Sequence, residues 1–339
     1  MEFLADLGLF AAKALLVVLA IAFVIGAIAK AGRSGGEEAK GDLRVKRLDR
    51  RWRKTALAMQ RALSSKKAFK AIAAAEAKRD KAELGAAPRK KIYVLDFDGN
   101  LRATQVAGLA EEVNAILLSS AKGDEVVVRL KSPGGLVHAY GLAASQLARL
   151  RDAGLEVTAV VDQVAASGGY MMAVVAQKIV AAPFAVIGSI GVVAGIPNLH
   201  RWLKNHDVDY ELLTAGKYKR TLTMLGENTP EGRQKFQEEL EQAHALFKGH
   251  IARYRPGLDL ETVATGEHWY GMQALEFGLV DALGTSDDYL LAARERGDVF
   301  QVQWTPRRRL LDKVGGAVEG GLAKAVERVW ERSEERRFP

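Results

Sequence analysis

Glu156–Tyr170 reads EVTAVVDQVAASGGY. Its first six residues form an apolar, β-rich run suited to a buried strand, and the other nine form a glycine-rich loop that leads into a helix of small residues. The same unit recurs upstream. Glu125–Leu130 (EVVVRL) is a second such run, followed by Lys131-Ser132-Pro133-Gly134-Gly135, and Lys91–Phe97 (KIYVLDF) is a third. Between the runs lie Val106–Leu118 and His138–Leu150, the latter with Leu142, Ala143, Leu147 and Leu150 at helical spacing. Strands alternating with helices predict βαβ units, and hence an α/β domain with a mainly parallel sheet and covered faces. Val164–Ile196 is apolar too, but Gln177, Lys178, Pro183 and several Gly and Ser residues interrupt it, so it reads as soluble core and not as a membrane span.

In a parallel sheet the loops after successive strands emerge on one side, where ligands collect. The loops at 131–135 and 162–170 each lead into a helix, so their backbone N–H groups lack intrahelical partners and can hold a developing oxyanion. Gly134 or Gly135 offers one donor and Gly168 the other. Ser167, between Ala166 and Gly168-Gly169, has small neighbours that leave its Oγ accessible, which is the setting of a nucleophile; a serine there also suits a helix N-cap.

The 339 residues include no cysteine, so disulfides, thiolate metal sites and a cysteine nucleophile are excluded. A nucleophilic serine needs a base. Of the six histidines, none lies in a strand-end loop with an acidic partner at a recognisable spacing; His138 comes nearest. There is no HExxH, so a metal mechanism lacks ligands at diagnostic spacing. A buried lysine can serve instead, and lowering its pKa from about 10.4 to near 7 costs roughly 4 to 5 kcal/mol of desolvation. Lys217 and Lys219 follow the strand-like Asp209–Thr214 (DYELLT), and spacing does not choose between them, since positions two apart in extended chain share a face.

The formal net charge of +8 is unevenly placed. Residues 30–91 carry twenty Lys or Arg against seven Asp or Glu, so the rest of the chain is net acidic. The high basicity belongs to one stretch, which argues against a nucleic-acid-binding fold. Before it lies Leu7–Ala29 (LGLFAAKALLVVLAIAFVIGAIA), 23 residues with one charge, long enough at about 1.5 Å per residue to cross a hydrocarbon core of about 30 Å. Two acids precede this span and many basic residues follow it, so the positive-inside rule puts the rest of the chain in the cytoplasm. The expected organisation is an N-terminal membrane anchor at 1–30, a basic helical linker at 31–90, the α/β domain at 91–300 and a charged helical tail at 301–339. Residues 231–255 are expected to form a long packing helix, and 271–281 a short helix turned by Gly278.

Four ordered motifs resemble those of the signal peptide peptidase A family, and of its SohB branch in particular. They are Ser132-Pro133-Gly134-Gly135, Ala165-Ala166-Ser167-Gly168-Gly169-Tyr170, Ile187-Gly188-Ser189-Ile190-Gly191-Val192 and Gly216-Lys217-Tyr218-Lys219. The likeness runs from about Tyr93 to Leu283. It implies a ClpP/crotonase-like fold, an inner-membrane serine endopeptidase with a Ser-Lys dyad, and no cofactor. Carried onto this chain, Ser167 matches the nucleophile, Lys219 the general base, Gly134, Gly135 and Gly168 the oxyanion site, and Ser189 a residue that supports the dyad lysine. In related enzymes the serine and lysine can come from different copies, so a homo-oligomer is implied. Expected substrates are hydrophobic peptides, such as remnant signal peptides or membrane-protein fragments, with lipid contacted through the N-terminal helix. Better-known members act outside the cytoplasm, which keeps the periplasmic side open against the flanking charge. Two other readings are a crotonase-like acyl-CoA enzyme and a non-catalytic oligomeric membrane scaffold; acyl-CoA binding and labelling of Ser167 by a serine-reactive probe discriminate them.

Overall fold

The computed structural model describes residues 41–85 and 89–306. The expected membrane anchor and most of the charged tail lie outside the described residues. Among those described, no helix is long and apolar enough to cross a membrane.

In chain order the elements begin with β1 (Gly41–Arg47), α1 (Leu48–Leu63), α2 (Lys66–Gly85), β2 (Lys91–Asp98), α3 (Val106–Ser119), β3 (Glu125–Lys131), α4 (Val137–Asp152) and β4 (Glu156–Val161). They continue with β5 (Val164–Ala166), α5 (Gly168–Ala173), β6 (Lys178–Ala181), β7 (Val186–Gly188), α6 (His200–Lys204) and α7 (Pro230–Tyr254). The last are α8 (Leu260–Val263), β8 (His268–Tyr270), α9 (Gly271–Glu276), β9 (Ala282–Leu283), α10 (Ser286–Arg296) and β10 (Asp298–Pro306). The larger sheet has the order β1-β10-β2-β3-β4-β6-β9, parallel throughout except for β1. A smaller sheet, β5-β7-β8, stands beyond the ends of β3 and β4 and is joined to the larger one by a bridge between Ser132 and Ala165.

The apolar runs become central strands because both sheet faces are covered. Along β2, Tyr93, Leu95 and Phe97 face one hydrophobic cluster with Leu109, Val113, Tyr140 and Leu147, while Ile92 and Val94 face a second with Leu48, Leu290 and Ala293. Period-two alternation therefore survives inside a run that is apolar at nearly every position. Of the stretch Val164–Ile196 expected to be core, residues 164–190 contribute most of their apolar side chains to the main hydrophobic cluster, whereas Val193–Ile196 are exposed; α7 matches the long helix expected at 231–255.

Two expectations are revised. The compact unit spans Gly41–Pro306, wider than 91–300 at both ends. Gly41–Arg47, read as part of a helical linker, is an edge strand in antiparallel register with β10, and α1 docks on the sheet through Leu48 and Trp52; residues 301–306, read as the start of a helical tail, belong to β10. Asp209–Thr214 is not a strand: it is exposed along its length and pairs with no strand among the described residues.

Candidate active site

The site forms where β3 and β5 end. After β3 the chain enters Ser132-Pro133-Gly134-Gly135 and then α4, and after β5 a single residue, Ser167, separates the strand from α5. That turn is too sharp for ordinary backbone. Ser167 has φ 51° and ψ −119°, a region that disfavours a residue with a Cβ, and its neighbours hold it there: its N–H donates to the Gly188 carbonyl at 2.7 Å and its carbonyl accepts from Met171 at 2.9 Å. Such a strand-to-helix turn lifts a serine Oγ clear of the backbone. Ser167 is half-buried and its side chain caps nothing, so the N-cap alternative lacks its defining hydrogen bond.

The two glycine loops meet at this serine. A Cβ on Gly134, which has φ +93°, would lie 2.7 Å from Ser167 Cβ and 2.8 Å from the Gly168 nitrogen. Only hydrogen at that position lets the loops approach so closely. Gly168 is the first residue of α5, so its N–H has no partner within the helix. The Gly134 N–H is engaged: it donates to Ser132 Oγ at 3.1 Å. Ser189 adjoins the Gly188 carbonyl that receives Ser167; it also has positive φ, 49°, and its own N–H donates to the Glu267 carbonyl at 2.7 Å.

The structure brings Ser167, Gly134, Gly168 and Ser189 together, with Gly135 next in the same loop. Lys219 is not joined to them: it is exposed, in a stretch without helix or strand, and its backbone N–H closes a turn onto the Gly216 carbonyl at 3.1 Å. No hydrogen bond connects its side chain to Ser167 among the described residues. Lys217 differs from it in chemistry. Its Nζ lies 2.9 Å from Glu231 Oε1, and the hydrogen bond to Glu231 raises its pKa above the ordinary lysine value. An ammonium held charged is a poor general base. His138 is exposed near the start of α4 and makes no hydrogen bond to Ser167 among the described residues.

Two groups at the site carry no role in the sequence reading: Ser132, named there only as part of its loop motif, and Tyr140. Ser132 and Tyr140 are fully buried behind the loop, with Ser132 Oγ 2.5 Å from Tyr140 Oη. Tyr140 lies on α4, and a lone aromatic residue on an apolar helix face gives no signal of a polar task.

The chain matches the family model "Peptidase family S49" over residues 149–299 and "Peptidase family S49 N-terminal" over residues 2–147. It is 54% identical over 237 residues to "Probable protease SohB" of Haemophilus influenzae, covering 70% of this chain and 67% of that one. To "Probable protease SohB" of Buchnera aphidicola subsp. Acyrthosiphon pisum it is 52% identical over 242 residues, covering 71% and 72%. To "Protease 4" of Salmonella typhi it is 31% identical over 211 residues, covering 60% of this chain and 34% of that longer one. Kinship over most of the chain carries the conclusion that the chain belongs to peptidase family S49, in its SohB branch, and is a serine peptidase.

Proposed function

We propose that this peptidase is membrane-anchored through Leu7–Ala29 and cleaves hydrophobic peptides, such as remnant signal peptides or membrane-protein fragments, with a Ser167–Lys219 dyad. The observation that carries this reading is the backbone of Ser167, held at positive φ at a strand-to-helix turn with Gly134 against it. In this reading neutral Lys219 takes the Oγ proton as Ser167 attacks the peptide carbonyl, forming the tetrahedral adduct. The same proton then passes to the leaving amine, and water hydrolyses the acyl-enzyme by the reverse route. The amide N–H groups of Gly168 and of the Gly134-Gly135 loop receive the oxyanion in this reading; because Gly134 already donates to Ser132, Gly135 is taken as the donor from that loop.

Lys219 is solvent-exposed in the isolated chain, whereas a lysine acting as the base of a dyad has to be sequestered from water. Assembly of several copies, on a ClpP/crotonase-like architecture, meets that requirement by burying Lys219 against the Ser167 of a neighbouring copy, with Ser189 beside it as a hydrogen-bond partner. The flanking charge of the anchor favours a cytoplasmic catalytic domain at the inner membrane.

Hydrolysis of an unstructured hydrophobic peptide by the full chain tests the dyad. Ser167→Ala and Lys219→Ala are each expected to abolish turnover while Lys217→Ala retains it. Undiminished hydrolysis by either of the first two variants removes that residue from the dyad.

A further inference from the structure

Behind the Ser132–Gly135 loop lies a chain of hydrogen bonds whose direction is forced. The Gly134 N–H donates to Ser132 Oγ at 3.1 Å, Ser132 Oγ lies 2.5 Å from Tyr140 Oη, and Tyr140 Oη donates to the Asn100 carbonyl at 2.9 Å. An amide N–H only donates, a carbonyl only accepts, and each hydroxyl has one proton. The Tyr140 proton is committed to Asn100, so the Ser132 proton goes to Tyr140 and a Ser132 lone pair receives Gly134. Both hydroxyl residues are fully buried, where a bond left unmade is costly. Burial also raises the Tyr140 phenol above its ordinary pKa, with the Ser132 bond opposing, so at neutral pH it remains a donor.

The same two residues brace the other half of the site. A Cβ on Gly168 would overlap the Tyr140 ring, so the ring lies directly against the residue whose N–H follows Ser167. The Ser132 main chain is tied to β5, donating to the Val164 carbonyl at 2.8 Å and accepting from the Ala166 N–H at 3.0 Å. Gly99 closes the back: a Cβ there would lie 2.5 Å from Tyr140 Oη and 2.6 Å from Ser132 Oγ, so these hydroxyls have no room to rearrange around a larger residue.

We propose that Tyr140 and Ser132 are positioning residues for the peptidase reaction, the hydroxyl chain fixing the Gly134 peptide and the Tyr140 ring fixing Gly168, so that the oxyanion donors are in place before substrate arrives. The inference rests on the reading of Ser167 and the two glycine loops as the peptidase centre. Neither side chain touches the substrate. Their action is on the tetrahedral state, because a preorganised oxyanion site binds that state more strongly than the ground-state carbonyl. Loosening it lowers kcat and leaves KM in place.

The test uses the full-length chain, a peptide substrate and a peptide boronate that forms a tetrahedral adduct with the serine. Tyr140→Phe is expected to lower kcat per titrated active site by about tenfold or more, with KM within about twofold, and to weaken the boronate by the same factor. Ser132→Ala is expected to do likewise, and the Tyr140→Phe/Ser132→Ala double variant to be little worse than either single one, because both break one chain. Unchanged kcat and boronate affinity in folded Tyr140→Phe overturn the proposal, as does an activity loss that vanishes once rates are divided by the titre of active sites. Should Tyr140→Phe fail to fold, unchanged kcat and boronate affinity in folded Ser132→Ala overturn it. Peptide hydrolysis by Ser167→Ala is a separate failure, since it refutes the centre and not its support.

Discussion

Ser167 donates its backbone N–H to the carbonyl of Gly188 at 2.7 Å, and the residue after Gly188 is Ser189, so two serines with positive φ, 51° and 49°, are held side by side by one main-chain bond. Left-handed backbone at a residue with a Cβ persists only where the surroundings impose it. Here they do so from both directions, since Met171 donates to the Ser167 carbonyl and Ser189 donates to Glu267.

A difference between two inactive variants isolates this strain. Ser167→Ala and Ser167→Gly both remove Oγ, but alanine keeps the Cβ that makes φ 51° unfavourable and glycine does not. Ser167→Gly is expected to be the more stable by about 1 kcal/mol, the strain relieved less the extra chain entropy of glycine. Urea unfolding of the pair measures it, and an alanine variant equal to or more stable than the glycine one rules out strain at this turn.

Two glycines predict opposite outcomes for the same substitution. Gly134→Ala places a methyl 2.7 Å from Ser167 Cβ on a backbone at φ +93°, so it is expected to cost about 2 kcal/mol or more and to reduce peptide hydrolysis at least about 100-fold. Gly249, exposed within α7 and with no atom within 4 Å of the added Cβ, is expected to gain about 1 kcal/mol from Gly249→Ala with activity unchanged. Thermal melts and a peptide assay on both variants check the contrast.

Which parts of the molecule were legible follows from how each residue is buried. β2, β3 and β4 could be read because strands covered on both faces are apolar almost throughout, and the loops after them could be read because Gly134 and Gly168 stand where no side chain fits. β1 could not. GDLRVKR is exposed at five of its seven positions, and only its pairing with β10 makes it a strand. DYELLT has the opposite history: it has strand-like composition, but β-propensity without a partner edge forms no sheet. The hydroxyl chain through Tyr140 was hidden because its meaning lies in the contact with Ser132, eight residues away across a helix start. Lys219 lies at the limit of what one chain contains, since sequence assigns its role by likeness while its surroundings within the chain are solvent.

That exposure makes a prediction about mixtures. If the lysine of one copy serves the serine of another, an assembly containing both Ser167→Ala and Lys219→Ala chains holds some sites with an intact pair. Co-expression of the two inactive variants is therefore expected to restore a measurable fraction of wild-type hydrolysis, while each alone gives none. Absence of recovery in assemblies shown to contain both chains places the dyad within a single copy.

Glu112 gives a prediction about pH that is independent of catalysis. It lies on α3, is only 6% exposed, and accepts the Trp304 N–H at 2.7 Å, which fastens β10 to the helix. Burial raises its pKa from 4.5 to about 7, with the Trp304 bond opposing and the charge of Asp96 adding to the rise. Below pH 4.5 the carboxyl is protonated in both folded and unfolded chains and costs the fold nothing through titration. Between 4.5 and 7 the unfolded chain ionises while the folded one still holds its proton, so stability falls as pH rises, and above about 7 the full penalty, of order 3 kcal/mol, is present. Glu112→Gln keeps an acceptor for Trp304 without a charge. It is expected to match the wild type near pH 4.5 and to be more stable at pH 8, by up to that amount, with the difference growing steadily across the interval. Denaturant melts at four or five pH values measure this directly, and a pH-independent difference between the two proteins excludes Glu112 as the titrating group.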